Sequence, residues 1–270
     1  MEVTPVNDTK YRELAGSIVS WIQDYFSSAG MTGTVVGLSG GIDSGVTAAL
    51  CARALGRENV LGLIMPCESI KADTEDGHRT AEHLGIPSRE IDLTGALEAM
   101  ILAGNLNREN RLELANVKAR LRMTTEYALA RGKLVAGTGN LSETVTGYWT
   151  KWGDGAADFM PLAELWKDEV RELGRYLGLP DWILSRVPSG GLWEGQSDES
   201  EMGVTYTEIK KYHVEGKESV PSAAAVRIEQ LYRSSAHKRN PIPYFKAREI
   251  MDGKQKKTGS CKCLGQNRSC

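Results

Sequence analysis

The sequence has almost no net charge and no long apolar run. Its 33 basic and 35 acidic residues give a formal charge of -2, whereas proteins that depend on nucleic acid backbone contacts carry a basic excess. No stretch is long and apolar enough to span a bilayer. The first ten residues, MEVTPVNDTK, lack the apolar core of a signal peptide. We therefore expect a cytoplasmic protein that binds neither membranes nor nucleic acid.

Cysteine is scarce and irregularly spaced. Cys51 lies in a helix-like run, Cys67 follows a strand-like run, and Cys261, Cys263 and Cys270 lie in the last ten residues. An odd number at this spacing does not resemble a disulfide framework and fits a reducing compartment. The three C-terminal cysteines leave zinc binding or oxidation open, although their spacing is not a standard zinc pattern.

The composition is that of an ordinary globular chain. With 270 residues, of which 41% are hydrophobic and 25% charged, the chain is long enough to bury a full core. We predict a single domain over residues 1–252. From residue 253 onward the sequence GKQKKTGSCKCLGQNRSC is polar and basic, which predicts a disordered tail.

Short apolar runs alternate with helical patterns along the first 150 residues. Strands are predicted at residues 34–38, 60–66, 88–93 and 133–138. Helices are predicted at residues 11–26, 46–55, 74–84, 109–131, from about 142, and later at 166–177 and 222–236. This alternation predicts an α/β fold, a doubly wound parallel sheet with helices on both faces and a helical C-terminal part. Ligands of such sheets bind at the carboxyl ends of the strands, where glycine turns follow the first and fourth strands.

The glycine turn after the first strand carries the strongest chemical signal. Gly40 and Gly41 let the backbone approach an anion closely, and the following helix offers unpaired amides at its positive end. Ser39 and Ser44 add hydroxyl donors. Asp43 would repel a phosphate unless it holds Mg²⁺. The loop is not a Walker A motif, and no Gly-x-Gly-x-x-Gly fingerprint is present.

This loop, SGGIDS at residues 39–44, resembles the SGGxDS signature of the ATP pyrophosphatases of the adenine nucleotide α-hydrolase-like fold. The resemblance implies cleavage of ATP to AMP and pyrophosphate. It also implies adenylation of a substrate oxygen and displacement of AMP by a nitrogen or sulfur nucleophile. The loop alone leaves NAD synthetases, GMP synthetases, asparagine synthetases and tRNA-modifying enzymes as alternatives.

Four further motifs narrow this choice. They are VKARLRM (117–123), GTGNLSETVTGYWTKWGDGAADFMPLAELWK (137–167), PSGGLWEGQSDESEMG (188–203) and HKRNP (237–241). In this order they resemble the ammonia-dependent NAD synthetases, over about residues 10–250. The resemblance implies a ligase that adenylates deamido-NAD with ATP and Mg²⁺. Ammonia then displaces AMP, which completes NAD biosynthesis, and relatives of this kind are homodimers.

The resemblance also implies the site residues. Those expected to bind ATP are Gly37, Leu38, Ser39, Gly40, Gly41, Ile42, Asp43, Ser44, Thr138, Lys167 and Ser189. Those expected to bind deamido-NAD are Arg120, Lys151, Asp158, His237 and Lys238. Asp43 and Glu143 correspond to the magnesium ligands, and Asp43 and Lys167 to catalytic residues. Ser189 stands where the family often has threonine, and it keeps the hydroxyl.

Taken singly, several of these side chains also fit ordinary structural roles. Glu143 follows Ser142, which we expect to cap a helix, and an acidic residue favours a helix start. Arg120 and Lys151 fit solvated surface charges, Asp158 fits a turn, and the basic pair at 237–238 fits a helix C-terminus.

Two other functions remain as alternatives. A tRNA-modifying relative would release AMP only with tRNA, and a non-catalytic module would bind ATP without releasing pyrophosphate. The 38 residues before Ser39 are too few for a glutamine-hydrolysing domain, so we expect free ammonia or ammonia from a partner. Residues 186–204, rich in Gly, Ser, Asp and Glu, are the candidate for a lid that protects the adenylate from water.

Overall fold

A computed structural model describes residues 8–188 and 197–251. The predicted tail with Cys261, Cys263 and Cys270 lies outside the described residues, as does the predicted ATP contact Ser189. Within the described ranges, no helix is long and apolar enough to cross a bilayer.

The centre of the fold is a four-stranded parallel sheet with the strand order β3-β2-β1-β4. The strands are β1 (Thr34–Gly37), β2 (Val60–Ile64), β3 (Ser88–Glu90) and β4 (Leu134–Val135). All four strands were predicted from the sequence. The non-sequential order places the turns after β1 and β4 side by side, because these two strands are direct neighbours.

Thirteen α-helices surround the sheet in the part of the chain that the structure describes. They are α1 (Asp8–Ala29), α2 (Ile42–Leu55), α3 (Lys71–Leu84), α4 (Thr94–Gly104), α5 (Arg111–Leu129), α6 (Leu141–Thr146), α7 (Lys167–Leu177), α8 (Asp181–Leu184), α9 (Asp198–Met202), α10 (Tyr206–Glu215), α11 (Ser222–Ser234), α12 (Ala236–Arg239) and α13 (Ala247–Met251).

Helices cover both faces of the sheet, as predicted. Consecutive strand residues point to opposite faces, so Val36 packs in a cluster with α1, α2 and α7, whereas Val35 packs with α4 and α5. Both side chains are fully buried. A buried side chain of this kind contributes about 2 kcal/mol of transfer free energy, so the two clusters fix which helix lies on which face.

A third apolar cluster joins the helices of the C-terminal part. Val145 of α6 packs there with Met202 of α9, Ile209 of α10 and Ile228 of α11. The last three side chains are almost completely buried. This cluster confirms the predicted helical C-terminal part, and it holds α11 beside α6, which follows the end of β4.

The structure corrects two local predictions. Helix α6 is capped by Asn140 and not by Ser142, because the Asn140 side chain accepts a hydrogen bond from the amide of Glu143. The Ser142 hydroxyl accepts a bond from the amide of Lys167 instead. Part of the predicted lid, residues 186–204, is helical, since α9 occupies residues 198–202.

Candidate active site

A cavity of about 1180 Å³ opens at the carboxyl ends of β1, β2 and β4. Its wall includes Ser39 after β1, Met65 after β2 and Thr138 after β4. This is where the strand pattern predicts a ligand site. The volume exceeds the roughly 300–1,000 Å³ of pockets that hold one drug-sized ligand, and it is large enough for two substrates.

The predicted ATP loop forms one end of this central cavity. All of its residues from 37 to 44 line the cavity except Gly40. The Ser44 hydroxyl donates to the Gly41 carbonyl at 2.9 Å, and the Gly41 amide donates to the Ser39 hydroxyl at 3.3 Å. Gly41 is the N-cap of α2, and no described side chain caps this helix. The first-turn amides of α2 are therefore positioned to bind an anion.

Gly40 packs against α3. Its φ of +75° is strained for any residue with a Cβ. A Cβ at this position would lie 2.8 Å from the Asp73 carbonyl oxygen and 2.8 Å from the Asp76 Cβ. Both its backbone conformation and its packing therefore require glycine.

A buried lysine and two carboxylates form the charged centre of the cavity. Lys167 Nζ lies 2.5 Å from Asp43 Oδ2 and 3.2 Å from Glu143 Oε1. Burial lowers the pKa of Lys167, but the two carboxylates outweigh this effect and raise that pKa above its ordinary value. Burial also raises the pKa of Glu143 to about 7, although the lysine lowers it. The lysine is therefore charged, and the cavity wall carries one fixed cation between two acids.

Asn140 holds the two carboxylates in place. Its Nδ2 donates to Asp43 Oδ1 at 3.0 Å, and its backbone amide donates to Glu143 Oε2 at 3.2 Å. The side chain is fully buried. Sequence analysis did not identify this residue, although the spacing Asn-x-x-Glu is a capping-box pattern that predicts the helix start.

The pair Asp43 and Glu143 fits a magnesium site. Mg²⁺ in nucleotide enzymes is held by one or two carboxylates together with phosphate oxygens. Both carboxylates line the cavity beside the glycine loop, where phosphates are expected. One oxygen of each carboxylate contacts Lys167 Nζ, so the two groups are close enough to share a cation.

Four of the five residues predicted to bind deamido-NAD form a second group in the cavity wall. Arg120 donates to the Lys151 carbonyl at 3.2 Å, and Lys151 donates to the His237 carbonyl at 2.7 Å. Lys238 donates to the carbonyls of Gly147, at 2.6 Å, and Trp149. Arg120, Lys151, His237 and Lys238 line the cavity. They form a basic end wall suited to a dinucleotide pyrophosphate.

Asp158 is engaged with the sheet instead. Its Oδ2 accepts from the Val135 amide at 2.7 Å, and its Oδ1 accepts from the Tyr127 hydroxyl at 3.3 Å. It is not among the lining residues. Its contact with deamido-NAD stays a prediction.

Further ionisable side chains of the cavity wall were not identified from the sequence, among them Arg122, Glu126 and Asp198. Arg122 donates to the Met65 carbonyl at 3.1 Å and to Ser69. Burial raises the pKa of the neighbouring Glu126 to about 7. Asp198 accepts from the hydroxyl of a buried tyrosine at 2.7 Å, and burial raises its pKa as well. Arg122 and Asp198 lie within the motifs at 117–123 and 188–203, but only the tertiary fold brings these side chains to the cavity.

Comparisons with known proteins identify the family of the chain. The family model described as NAD synthase matches residues 14–242. The NH(3)-dependent NAD(+) synthetase of Carboxydothermus hydrogenoformans is 43% identical over 85% of this chain and 95% of its own length. A solved NMN synthetase from Francisella tularensis is 38% identical, with a TM-score of 0.82 over 87% of this chain and 98% of its own. An NH3-dependent NAD synthetase from Campylobacter jejuni is 28% identical, with a TM-score of 0.74 over 87% and 99%. The chain belongs to the NAD synthase family.

Proposed function

We propose that the chain is an ammonia-dependent NAD synthetase that converts deamido-NAD to NAD and splits ATP into AMP and pyrophosphate. The observation that carries this proposal is a single cavity that is lined both by the glycine loop and by the basic residues Arg120, Lys151, His237 and Lys238. Lys167 and its two carboxylates lie in the same cavity. Relatives named NH(3)-dependent NAD(+) synthetases, 43–45% identical to this chain, support ammonia as the nitrogen donor.

The chemistry follows from bringing two anions together. The nicotinate carboxylate oxygen attacks the α-phosphorus of ATP, and pyrophosphate leaves onto the amides at the start of α2. The Lys167 ammonium reduces the repulsion between the reactants. Ammonia then attacks the mixed anhydride and AMP departs. The cavity holds both substrates in one orientation, which converts an encounter between solutes into a reaction within one complex.

Asp43 and Glu143 are the residues that would hold magnesium in this reaction. A bound Mg²⁺ would screen phosphate charge and polarise the phosphoryl oxygens. Asn140 fixes the orientation of both carboxylates through its two hydrogen bonds. Thr138 supports the same end of the cavity as a further ATP contact.

A mononucleotide substrate is the second candidate. The Francisella tularensis NMN synthetase has a higher TM-score and higher identity to this chain than the Campylobacter jejuni NAD synthetase. NMN carries the same nicotinamide group without the adenylate half, so the corresponding acid would present the same carboxylate to ATP. The basic end wall favours deamido-NAD, because a substrate with two linked phosphates can use more of its cationic donors.

A competition assay distinguishes the two candidates. Purified protein receives ATP, Mg²⁺ and ammonium with equal concentrations of deamido-NAD and nicotinic acid mononucleotide, and NAD and NMN are separated by chromatography. We expect NAD as the dominant product, with one AMP formed per NAD. Dominant NMN would establish the second candidate. AMP formation that requires added tRNA, or no AMP at all, would contradict both. Asp43→Asn is the inactive control.

We propose in addition that the protein acts in the cytoplasm as a homodimer. Leu102 of α4 and Leu112 of α5 are 85% and 71% exposed, and contact with a second copy would remove this apolar area from water. Light scattering should give a mass near twice 29.5 kDa, and Leu112→Lys should shift it toward the monomer. A monomeric mass for the unmodified chain would contradict this proposal.

A further inference from the structure

Arg186 links the glycine loop to helix α3. Its Nη1 donates to the Gly40 carbonyl at 3.3 Å and to Asp76 Oδ2 at 2.8 Å, and its Nη2 donates to Asp73 Oδ1. The guanidinium is partly buried, and both carboxylates are more buried than it is. We call these three side chains the Arg186 clamp. Apart from the position of Arg186 at the start of the candidate lid, residues 186–204, no sequence motif assigns these side chains a role.

The clamp acts on one peptide unit of the loop. A trans peptide is planar, and its C=O and N–H bonds point in opposite directions. The carbonyl of Gly40 points toward Arg186, so the amide of Gly41 points to the other side, where it donates to Ser39. Ser39 and Gly41 line the cavity, so this amide belongs to its wall, and Arg186 and Asp73 line the same cavity.

This peptide would otherwise rotate easily. It joins two glycines, and glycine populates positive and negative φ with nearly equal ease. A rotation would turn the Gly40 carbonyl oxygen toward Ser39 and the Gly41 amide away from it. A phosphate would then meet a negative dipole where it needs a donor. The orientation that binds an anion therefore depends on a partner that holds the carbonyl.

We propose that Arg186 is a positioning residue for pyrophosphate, which keeps the Gly40–Gly41 peptide oriented with its amide in the cavity. Asp73 and Asp76 fix the guanidinium, and the guanidinium fixes the peptide. This inference rests on the proposed role of the loop in binding the ATP phosphates. The ligand it concerns is the β,γ-diphosphate unit, and AMP lacks that unit.

The chain provides a matched control in Arg79. Its Nη1 donates to Asp76 Oδ1 at 2.8 Å, and its guanidinium lies 4.0 Å from the centre of the Trp182 ring. It thus shares a carboxylate with Arg186 but contacts α3 and α8 in place of the loop. Loss of Arg79 changes the charge and packing of the same region but leaves the hydrogen bond from Arg186 to the Gly40 carbonyl in place.

The test is calorimetric binding of two separate ligands, magnesium pyrophosphate and AMP, to the full chain and to Arg186→Gln, Arg186→Lys and Arg79→Gln. A hydrogen bond to a charged group contributes about 1.5–3 kcal/mol, so we expect Arg186→Gln to weaken pyrophosphate binding about 10- to 100-fold. AMP binding should change less than about twofold, because AMP lacks the diphosphate unit that the glycine loop binds. Arg186→Lys should weaken pyrophosphate binding almost as much as Arg186→Gln does, because the single ammonium group of lysine cannot bridge two carboxylates and a carbonyl.

These binding measurements test the inference without using deamido-NAD or nicotinic acid mononucleotide. Equal weakening of pyrophosphate and AMP in Arg186→Gln would show a general structural role and overturn it. So would unchanged pyrophosphate binding, or an Arg79→Gln variant that matches Arg186→Gln. If Arg186→Gln does not fold, Asp76→Asn replaces it, with the same direction expected and a smaller effect. If the chain makes neither NAD nor NMN, that failure concerns the proposed function alone, since these binding measurements need no turnover.

Discussion

Lys167 is the side chain on which the charge balance of the cavity depends. It is almost fully buried and pairs with Asp43 and Glu143. We predict that Lys167→Met costs about 3 kcal/mol of unfolding free energy, because it leaves two buried carboxylates without their cation. Adenylation should slow by about 100-fold or more. Denaturant unfolding and AMP formation measure the two effects.

A surface lysine serves as the control for this variant. Lys210 also bridges two carboxylates, those of Asp168 and Glu169, but it is 30% exposed. Pairs of this kind contribute about 0–1 kcal/mol. Lys210→Met should therefore change stability little and leave the rate unchanged. Equal effects of the two substitutions would refute the role assigned to Lys167.

Glu126 gives a second prediction at the residue scale, one that depends on pH. Burial raises its pKa from 4.5 to about 7 in the folded protein, so the folded state binds more protons than the unfolded state between these values. Its contribution to stability is complete below pH 4.5 and is lost as the pH rises toward 7. At 1.36 kcal/mol per pKa unit, the loss between pH 5 and pH 8 is about 2–3 kcal/mol.

Glu126→Gln should remove this loss. We expect the unfolding free energy of the unmodified protein, measured relative to the variant, to fall by that amount between pH 5 and pH 8. Denaturant titrations at both pH values provide the comparison. A difference between the two proteins that stays constant with pH would mean that Glu126 titrates normally in the folded state.

The residues of the site differ in how well they can be predicted from the sequence. The loop at 37–44 was predictable because its strand, glycines, hydroxyls and helix start are contiguous, so one short segment contains the whole anion site. Arg186 was not, because its partner Gly40 lies 146 residues away. The raised pKa of Glu126 comes from burial, which a helical pattern does not specify.

Helix α6 shows how one element can serve both folding and the site. Asn140 caps the helix and also donates to Asp43. Aspartate caps helices as well as asparagine does, so Asn140→Asp should keep the helix. It should lower the rate of AMP formation about tenfold or more, because a third carboxylate replaces a donor beside Asp43. Circular dichroism and steady-state kinetics separate the two effects.

The matched control for this variant is the N-cap of α5. Asn110 accepts a bond from the amide of Glu113 at 3.2 Å, in the same capping geometry but at the surface. Asn110→Asp should leave the rate unchanged. If both variants reduced the rate equally, the cap alone would explain the loss and the contact with Asp43 would not matter.

Among the elements, those with one clear pattern were predicted and those without one were not. The β-branched strands at 34–37 and 60–64 are short, buried runs between glycines and helices. Helix α4 was missed because its sequence, TGALEAMILAG, is apolar on most sides and so lacks a strong helical period. Helix α9 is five residues long and almost entirely acidic or polar. Its helical form depends on Met202, which packs in the third cluster.

At the scale of the whole molecule, the cavity lies where the three apolar clusters meet. The glycine loop continues from β1 into α2 in the first cluster, Arg120 lies on α5 beside the second, and His237 follows α11 of the third. A ligand that binds only the folded state and is present at 100 times its dissociation constant adds about 2.7 kcal/mol to the unfolding free energy. Each substrate should therefore stabilise most strongly the cluster that supplies its contacts.

Hydrogen exchange can map this division. We predict that a non-hydrolysable ATP analogue with Mg²⁺ slows exchange at the first-turn amides of α2, residues 42–44, because these amides bind phosphate. Deamido-NAD alone should slow exchange in residues 222–239, because the basic end wall is carried by α12 and supported by α11. Local opening of these helices limits exchange in the free protein, and bound ligand suppresses it. If deamido-NAD protected residues 42–44 and left residues 222–239 unchanged, the binding sites assigned to ATP and deamido-NAD would have to be swapped. The basic wall would then bind the triphosphate, and the glycine loop would lose its assigned role.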